Sequence, residues 1–272
     1  MRVNMHTHST FCDGKDHPED MVLTAIEKGF DILGFSGHGY SPYDAECMSL
    51  EATVSYIQTI QELKEKYRNA ITIYLGIEED MTCRIPSKAP YDFVIGSVHF
   101  LPNKGTPVPI DWDEEKFQRL LKEGYHNDIF ALTEDYYRNV ARMKDYAEVD
   151  IIGHLDLVSK FNEQESYFSF DDPRYLNQVS ECIHSLGSSK IYEVNTGAIA
   201  RGYRTSPYPH QIILTMLKEL GASIMINSDC HNRAYLDCAF TETIQLCKDI
   251  GFHEVMVLKN GEFLPVDINE IH

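Results

Sequence analysis

The chain has 272 residues, enough for one large domain with a substantial core. Its 24 Lys plus Arg stand against 42 Asp plus Glu, a formal charge of -18, so the general field repels polyanions and excludes long nucleic acid and anionic lipid as default partners. Seven cysteines, an odd number with no C-x-x-C pair, argue against a disulfide framework and for a reducing cytoplasm.

The first apolar run, about 2 to 6, begins at once and reaches His6, which leaves no basic segment and apolar stretch for a signal peptide. No run approaches the roughly 18 apolar residues that span a bilayer. The expectation is a cytoplasmic protein with no membrane contact. Pro18 opens a helix through EDMVLTAIEKG, with acids early and Gly29 as its stop. A second strand run covers 31 to 36. Ser49 begins the helix LEATVSYIQTIQELKEKY, where Leu50, Val54, Ile57, Ile60 and Leu63 repeat at helical spacing.

Strand runs follow at 71 to 77 and 92 to 98. The segment LPNKGTPVPI, with three prolines and one glycine, then forbids regular structure and predicts a loop over the molecule's mouth. Its Asn103-Lys104-Gly105 imitates a phosphate-loop turn, but no Walker pattern surrounds it. Helices are expected at 113 to 124, 128 to 146, 173 to 186, 208 to 220 and 236 to 250, and strands at 149 to 153, 190 to 195 and 222 to 227. A short extra strand at EVMVL closes the chain. Continuous apolar runs such as DILGF, FVIGSV and ASIMIN suit parallel strands covered on both faces. Strand followed by helix about seven times, without repeat or linker, predicts a distorted seven-stranded β/α (TIM-like) barrel, with residues 1–272 as a single domain.

Six of the twelve histidines sit at the downstream ends of these runs: His6, His8, His38, His99, His154 and His231. Glu78 ends another run, and Asp156 and Asp229 stand two residues from His154 and His231. The downstream ends of barrel strands converge on one face, and residues two apart on a strand share a side, so these groups are candidate metal ligands. Imidazole and carboxylate without cysteine suit zinc, manganese or iron. Five of the remaining histidines, His126, His184, His210, His253 and His272, fall in helical or terminal segments and are expected to face solvent.

The ordered series H-T-H at 6 to 8, His38, G-I-E ending at Glu78, G-S-V-H ending at His99, G-H-L-D at 153 to 156 and S-D-C-H at 228 to 231 resembles the polymerase and histidinol phosphatase (PHP) superfamily, whose members have a distorted seven-stranded barrel and usually three metals. The resemblance implies one metal held by His6, His8, Glu78 and Asp229, and a second held by His99 and His154 with Glu78 bridging. A third would use His38 and His231. Many relatives supply another histidine soon after H-x-H; here Asp13 substitutes, with His17 as the alternative. Gly37 stands where relatives often carry an acid, so an outer partner for His38 is missing or comes from elsewhere. The cofactors implied are two or three divalent ions.

The segment VNTGAIARGYR at 194 to 204 resembles the histidinol-phosphatase branch. Arg201 and Arg204 are candidate phosphate binders, because guanidinium pairs with phosphate through two hydrogen bonds, and Lys160 is a further cation nearby. Clustered divalent ions lower the pKa of bound water to about 7, so the expected nucleophile is metal-bound hydroxide attacking a phosphomonoester in line. Asp156 or His231 would assist the leaving alcohol. The resemblance implies hydrolysis of L-histidinol phosphate to L-histidinol and phosphate in histidine biosynthesis. The alternatives are a phosphoesterase acting on another phosphomonoester or a short nucleotide, and a non-catalytic metal-binding module.

Overall fold

The computed structural model describes residues 1–85, 87–103 and 105–272; Lys104 of the phosphate-loop imitation lies outside the described residues. The chain runs β1 (Val3–Asn4), α1 (Pro18–Glu27), β2 (Ile32–Phe35), α2 (Leu50–Lys66), β3 (Thr72–Asp80), β4 (Phe93–Ser97), β5 (Phe100–Asn103), β6 (Thr106–Pro109), α3 (Glu114–Tyr125), α4 (Ile129–Ala141) and β7 (Ile151–Ile152). It continues through α5 (Pro173–Leu186), β8 (Ile191–Asn195), α6 (Gly197–Ala200), α7 (Gln211–Glu219), β9 (Ser223–Asn227), α8 (Phe240–Ile250), β10 (Glu254–Lys259) and β11 (Glu262–Asp267).

Seven strands, in the order β1-β2-β3-β4-β7-β8-β9, are each parallel to their neighbours and form a nearly closed barrel with helices around it. The expected distorted β/α barrel is thus the architecture. Every residue of β2, β4 and β8 is buried, which is why their sequences run apolar without alternation. Gly34 and Gly76 make room for the buried Phe93 ring: a Cβ at Gly76 would lie 2.2 Å from its Cζ. Burying that ring contributes about 2–3 kcal/mol.

The seam between β1 and β9 departs from a regular ladder. Met5 N donates to Asn227 Oδ1 at 2.9 Å, and Asn4 Oδ1 accepts from Ser228 N at 3.2 Å, so two asparagine side chains join the strands. Backbone pairing resumes at the rim, where Thr7 and Cys230 form a parallel bridge. His8 N donates to Cys230 O at 2.9 Å and Cys230 N to His6 O at 3.1 Å. Barrel closure therefore occurs among the histidines themselves.

Caps fix the flanking helices. Ser49 accepts from Ala52 N to start α2, and Asp172 caps α5 ahead of Pro173. On α2 the helical stripe is only half used: Ile60 and Leu63 are buried, whereas Leu50 and Val54 are each 67% exposed. No helix among the described residues is long and apolar enough to cross a membrane.

Two expectations need correction. The proline-rich segment after His99 is an antiparallel ribbon, with Phe100 opposite Pro109 and Pro102 opposite Pro107. Since Ile110 N donates to His99 O, the three prolines occupy the alternate pairs whose nitrogens point away from the partner strand, where no donor is needed. The extra strand at EVMVL is one arm of a hairpin, β10 with β11, turned by Asn260 and Gly261 at φ 54° and 84°. That dipeptide is the usual signal for a two-residue turn with positive φ at both positions.

Candidate active site

The strand ends deliver the six histidines to one place, and Glu78 is its centre. Two backbone bonds, Gly39 N to Glu78 O at 2.8 Å and Glu78 N to Gly37 O at 3.2 Å, extend the ladder beyond β2 and set His38 beside Glu78. Glu78 Oε2 lies 3.2 Å from His6 Nε2, 3.5 Å from His8 Nε2 and 3.1 Å from His38 Nδ1. Its Oε1 lies 3.0 Å from His154 Nε2 and 3.4 Å from His99 Nε2, and accepts from Ser97 Oγ at 2.6 Å. Asp229 Oδ1 joins the first group, 3.2 Å from His8 Nε2 and 3.7 Å from His6 Nε2.

These separations fit a cation site. Donors about 2.1 Å from a tetrahedral ion lie roughly 3.4 Å from one another. His6 Nε2, His8 Nε2, Glu78 Oε2 and Asp13 Oδ1 are buried without a hydrogen-bond partner, a costly arrangement unless something else binds them. Three overlapping sets of donor atoms lie within 4.8 Å of one another: His6, His8 and Asp229; His38, Glu78 and His99; and His8, Asp13, His38 and His231. The last set contains one of the two candidates after H-x-H. Asp13 Oδ2 is 2.8 Å from His231 Nε2, whereas His17 is exposed and caps α1.

The electrostatics show the same demand for positive charge. Burial opposes protonation of His6, yet Glu193, Glu78 and Asp229 hold its pKa up to about 10. Burial also opposes ionisation of Glu78 and Asp229, but His6, His38 and His99 around the first, and Arg201 and His6 around the second, keep both well below the carboxylate range. Burial and the charge of His8 push His231 down to about 4. Buried carboxylates that need cations are suited to metal, provided the imidazoles give up their protons.

Several residues that the sequence pattern did not single out hold the donors in place. Glu193 accepts from His6 Nδ1 at 2.6 Å and from His154 N, Asn195 Nδ2 and Asn227 Nδ2, each at 2.9 Å. Asp80 Oδ2 accepts from His99 N at 2.6 Å and stands 3.4 Å from its Nδ1. Such outer carboxylates orient imidazole ligands and raise their basicity. Asp80 was recoverable, being two residues beyond Glu78 on the same strand; Glu193 lies inside an apolar run that reads as core. For His38, which lacks an acid before it, Asp13 Oδ1 lies 3.8 Å from Nε2. Cys12 Sγ packs 3.5 Å from His8 Nδ1, and Cys230 Sγ donates to Asn232 O.

Beside the cluster opens a cavity of about 540 Å³ lined by Asp13, His38, Glu78, His99, His154, Asp229 and His231. Arg201 and Lys160 also line it. Arg201 reaches Asp229 Oδ2 at 3.0 Å, and Lys160 Nζ donates to the Asp111 carbonyl. Arg204 and Asp156 do not reach the cavity: both side chains are fully buried, 3.7 Å apart, with Arg204 Nη1 donating to Ser159 Oγ at 2.6 Å. The two-residue spacing of His154 and Asp156 does not put them on one side, because β7 ends at Ile152 and a 3-10 turn begins at Leu157. His210, expected in solvent, caps α7 and stacks on Phe170 with ring centroids 4.0 Å apart.

The PHP domain family matches residues 4–197. A probable histidinol-phosphatase of Schizosaccharomyces pombe is 25% identical, over 91% of this chain and 90% of its own. The histidinol-phosphatase of Bacillus subtilis is 27% identical, over 89% of this chain and 98% of its own. Among solved structures, the histidinol phosphate phosphatase of Lactococcus lactis, complexed with zinc, L-histidinol and phosphate, superposes with a TM-score of 0.70 at 22% identity, covering 97% of this chain and 98% of that one. That likeness concerns the fold. With the six histidines and Glu78 gathered at the rim of this barrel, the chain belongs to the PHP domain family and is a phosphatase.

Proposed function

We propose that this phosphatase hydrolyses L-histidinol phosphate to L-histidinol and inorganic phosphate in histidine biosynthesis, with residues 1–272 acting as one metal-dependent domain. The observation that carries the reading is Glu78 among five imidazoles at 3.0–3.5 Å, beside a cavity that also presents Arg201 and Lys160. The curated relatives, similar over nearly the whole chain, point to the same substrate.

In this reading His6, His8, Glu78 and Asp229 would hold one divalent ion, and His99 and His154, with Glu78, would hold a second. Asp13, His38 and His231 would hold a third. Such ions, zinc, manganese or iron, would supply Lewis acidity and a water activated near neutral pH. The chain's own residues do the rest. Arg201 and Lys160 bind the phosphoryl oxygens and bring the ester against the cluster. His231, which lines the cavity and whose pKa burial and the charge of His8 hold down to about 4, serves as a donor to the third ion rather than as the acid for the leaving oxygen, while Asp156 and Arg204 are buried outside the cavity. Asp44, Glu46 and Asp111, with Trp112, Tyr203 and Tyr235, line the same cavity and suit a leaving alcohol that carries an ammonium group and an imidazole. The seven free cysteines accord with a cytoplasmic setting.

Steady-state kinetics on a panel of phosphomonoesters, including a short nucleotide, tests the assignment. Histidinol phosphate should give the highest kcat/KM. Equal, weak turnover of the whole panel would sink the substrate and leave the phosphatase standing.

A further inference from the structure

Three of the cluster histidines turn their outer nitrogen to oxygen. His6 Nδ1 lies 2.6 Å from Glu193 Oε1, His99 Nδ1 3.4 Å from Asp80 Oδ2 and His231 Nδ1 2.9 Å from Asp229 O. His8 differs: its Nδ1 is hydrogen-bonded to sulfur, Cys12 Sγ at 3.5 Å. Asp13 Oδ1 stands 3.4 Å from the same nitrogen but has no hydrogen-bond partner.

The direction of the bond to sulfur follows from the other ring nitrogen. His8 is fully buried, and its Nε2 faces the cluster without a hydrogen bond, 3.2 Å from Asp229 Oδ1 and 3.5 Å from Glu78 Oε2. An imidazole that holds a cation through Nε2 keeps its proton on Nδ1, so here nitrogen donates and sulfur accepts. The reverse arrangement, with the thiol donating to Nδ1, would leave the ring proton on Nε2, where it faces the cation.

Local backbone geometry holds the sulfur in place. Cys12 N donates to Ser9 O at 3.0 Å, and Gly14 N donates to the same carbonyl at 3.1 Å. The turn is so tight that a Cβ at Gly14 would lie 2.3 Å from Ser9 N. Lys15 N donates to His231 O at 2.8 Å, which ties the far end of the turn to another cluster residue. On the opposite side Gly37 leaves the space that the sulfur fills, since a Cβ there would stand 3.1 Å from Sγ. The other cysteine beside a cluster residue, Cys230, is committed elsewhere, with Sγ donating to Asn232 O at 2.8 Å.

We propose that Cys12 is a positioning residue for His8. Its sulfur accepts from His8 Nδ1–H and fixes the tautomer whose Nε2 is open towards Glu78 and Asp229. Asp13 is thereby left to the set it shares with His38 and His231, so that two consecutive residues divide the outer and inner roles. The inference rests on the reading of His8 as a metal ligand.

The test is the Zn²⁺ affinity of full-length Cys12→Ala and Cys12→Ser, measured by competition with a chromogenic chelator. Cys12→Ala should weaken binding by about 10-fold, the lower end for removing an outer partner because sulfur is a weak acceptor. Cys12→Ser, which keeps an acceptor at a smaller atom, should recover part of that loss. Unchanged affinity in Cys12→Ala would overturn the proposal, and so would a Cys12→Ser variant with no recovery, which marks the sulfur as packing alone. Nitrogen-15 NMR of the zinc-loaded wild type reads the tautomer directly: a slowly exchanging Nδ1–H on His8 is expected, and its absence overturns the proposal even if both variants fail to fold. That proton resonance should move in Cys12→Ser as the acceptor changes from sulfur to oxygen, and an unmoved resonance would assign the bond to another acceptor. Neither readout uses turnover, so a failed positioning role and a failed substrate assignment give different results.

Discussion

Arg201 Nη2 lies 3.0 Å from Asp229 Oδ2, so the cation that faces the cavity is tied to a carboxylate of the histidine cluster. The same guanidinium places Nη1 2.9 Å from His231 Nδ1. A group that binds phosphate here is therefore already oriented by the donors beside which the phosphate must sit, and little side-chain freedom remains to be lost on binding.

Arg201→Ala should raise KM for the phosphate ester by about 10- to 100-fold, the scale of one or two hydrogen bonds to a charged group. Arg201→Lys should recover only part of this, because an ammonium cannot span Asp229 and a phosphate oxygen with a planar fork. Steady-state kinetics with metal content measured on the same samples checks it; unchanged KM in Arg201→Ala would return the residue to a purely structural tie to Asp229.

Glu193 anchors four donors from four strand ends. Glu193→Ala leaves His154 N and two asparagine amides buried without an acceptor, at about 1–3 kcal/mol each, and should cost at least 3 kcal/mol of stability in urea unfolding. Glu193→Gln, which keeps an acceptor oxygen, should cost markedly less. Equal losses in the two variants would mean that charge rather than hydrogen bonding sets the effect.

A methyl group at Gly76 would meet the Phe93 ring at 2.2 Å. Gly76→Ala should destabilise the barrel by about 1–3 kcal/mol through overpacking. Combining it with Phe93→Leu should relieve part of the loss, so that the double variant is more stable than the sum of the two single effects. Strict additivity in thermal melts would remove the steric account.

His210 supplies a pH dependence away from the histidine cluster. Burial against Phe170 pushes its pKa below the usual 6.5, with Asp156 opposing the shift. The unfolded chain then takes up this proton before the folded one, so the contribution of His210 is complete above about pH 6.5 and is lost as the pH falls from there through the folded pKa. His210→Asn keeps a capping acceptor without titrating. The stability gap between wild type and this variant, followed by Tm from pH 8 to pH 5, should shift against the wild type on the acid side; a constant gap would contradict the shift.

The candidate donor set was readable where it depended on residue type at the end of an apolar run. His6, His8, His38, Glu78, His99, His154, Asp229 and His231 all reach the cluster because parallel strands of a barrel end on one rim, whatever the loops do. The residues that escaped or misled the reading depend on loops and on partners distant in sequence. Glu193 looks like a polar interruption in a core strand until Asn227 and His6 are brought beside it. The prolines after His99 read as breakers, although a ribbon with free outer edges accommodates them.

By itself the sequence determined the barrel, the ordered donors and the chemistry they suit, since strand length, apolar continuity and residue type are local properties. Only the tertiary structure decided which donors share Glu78, that Asp13 and not His17 enters the cluster, and that Arg201 and Lys160 face the cavity while Arg204 and Asp156 lie beneath it. The physical reason is where regular structure stops. The period of two along a strand fixes side-chain direction only within the strand; β7 ends at Ile152, and beyond it the turn at Leu157–Ser159 carries Asp156 away from His154 and under the cavity floor.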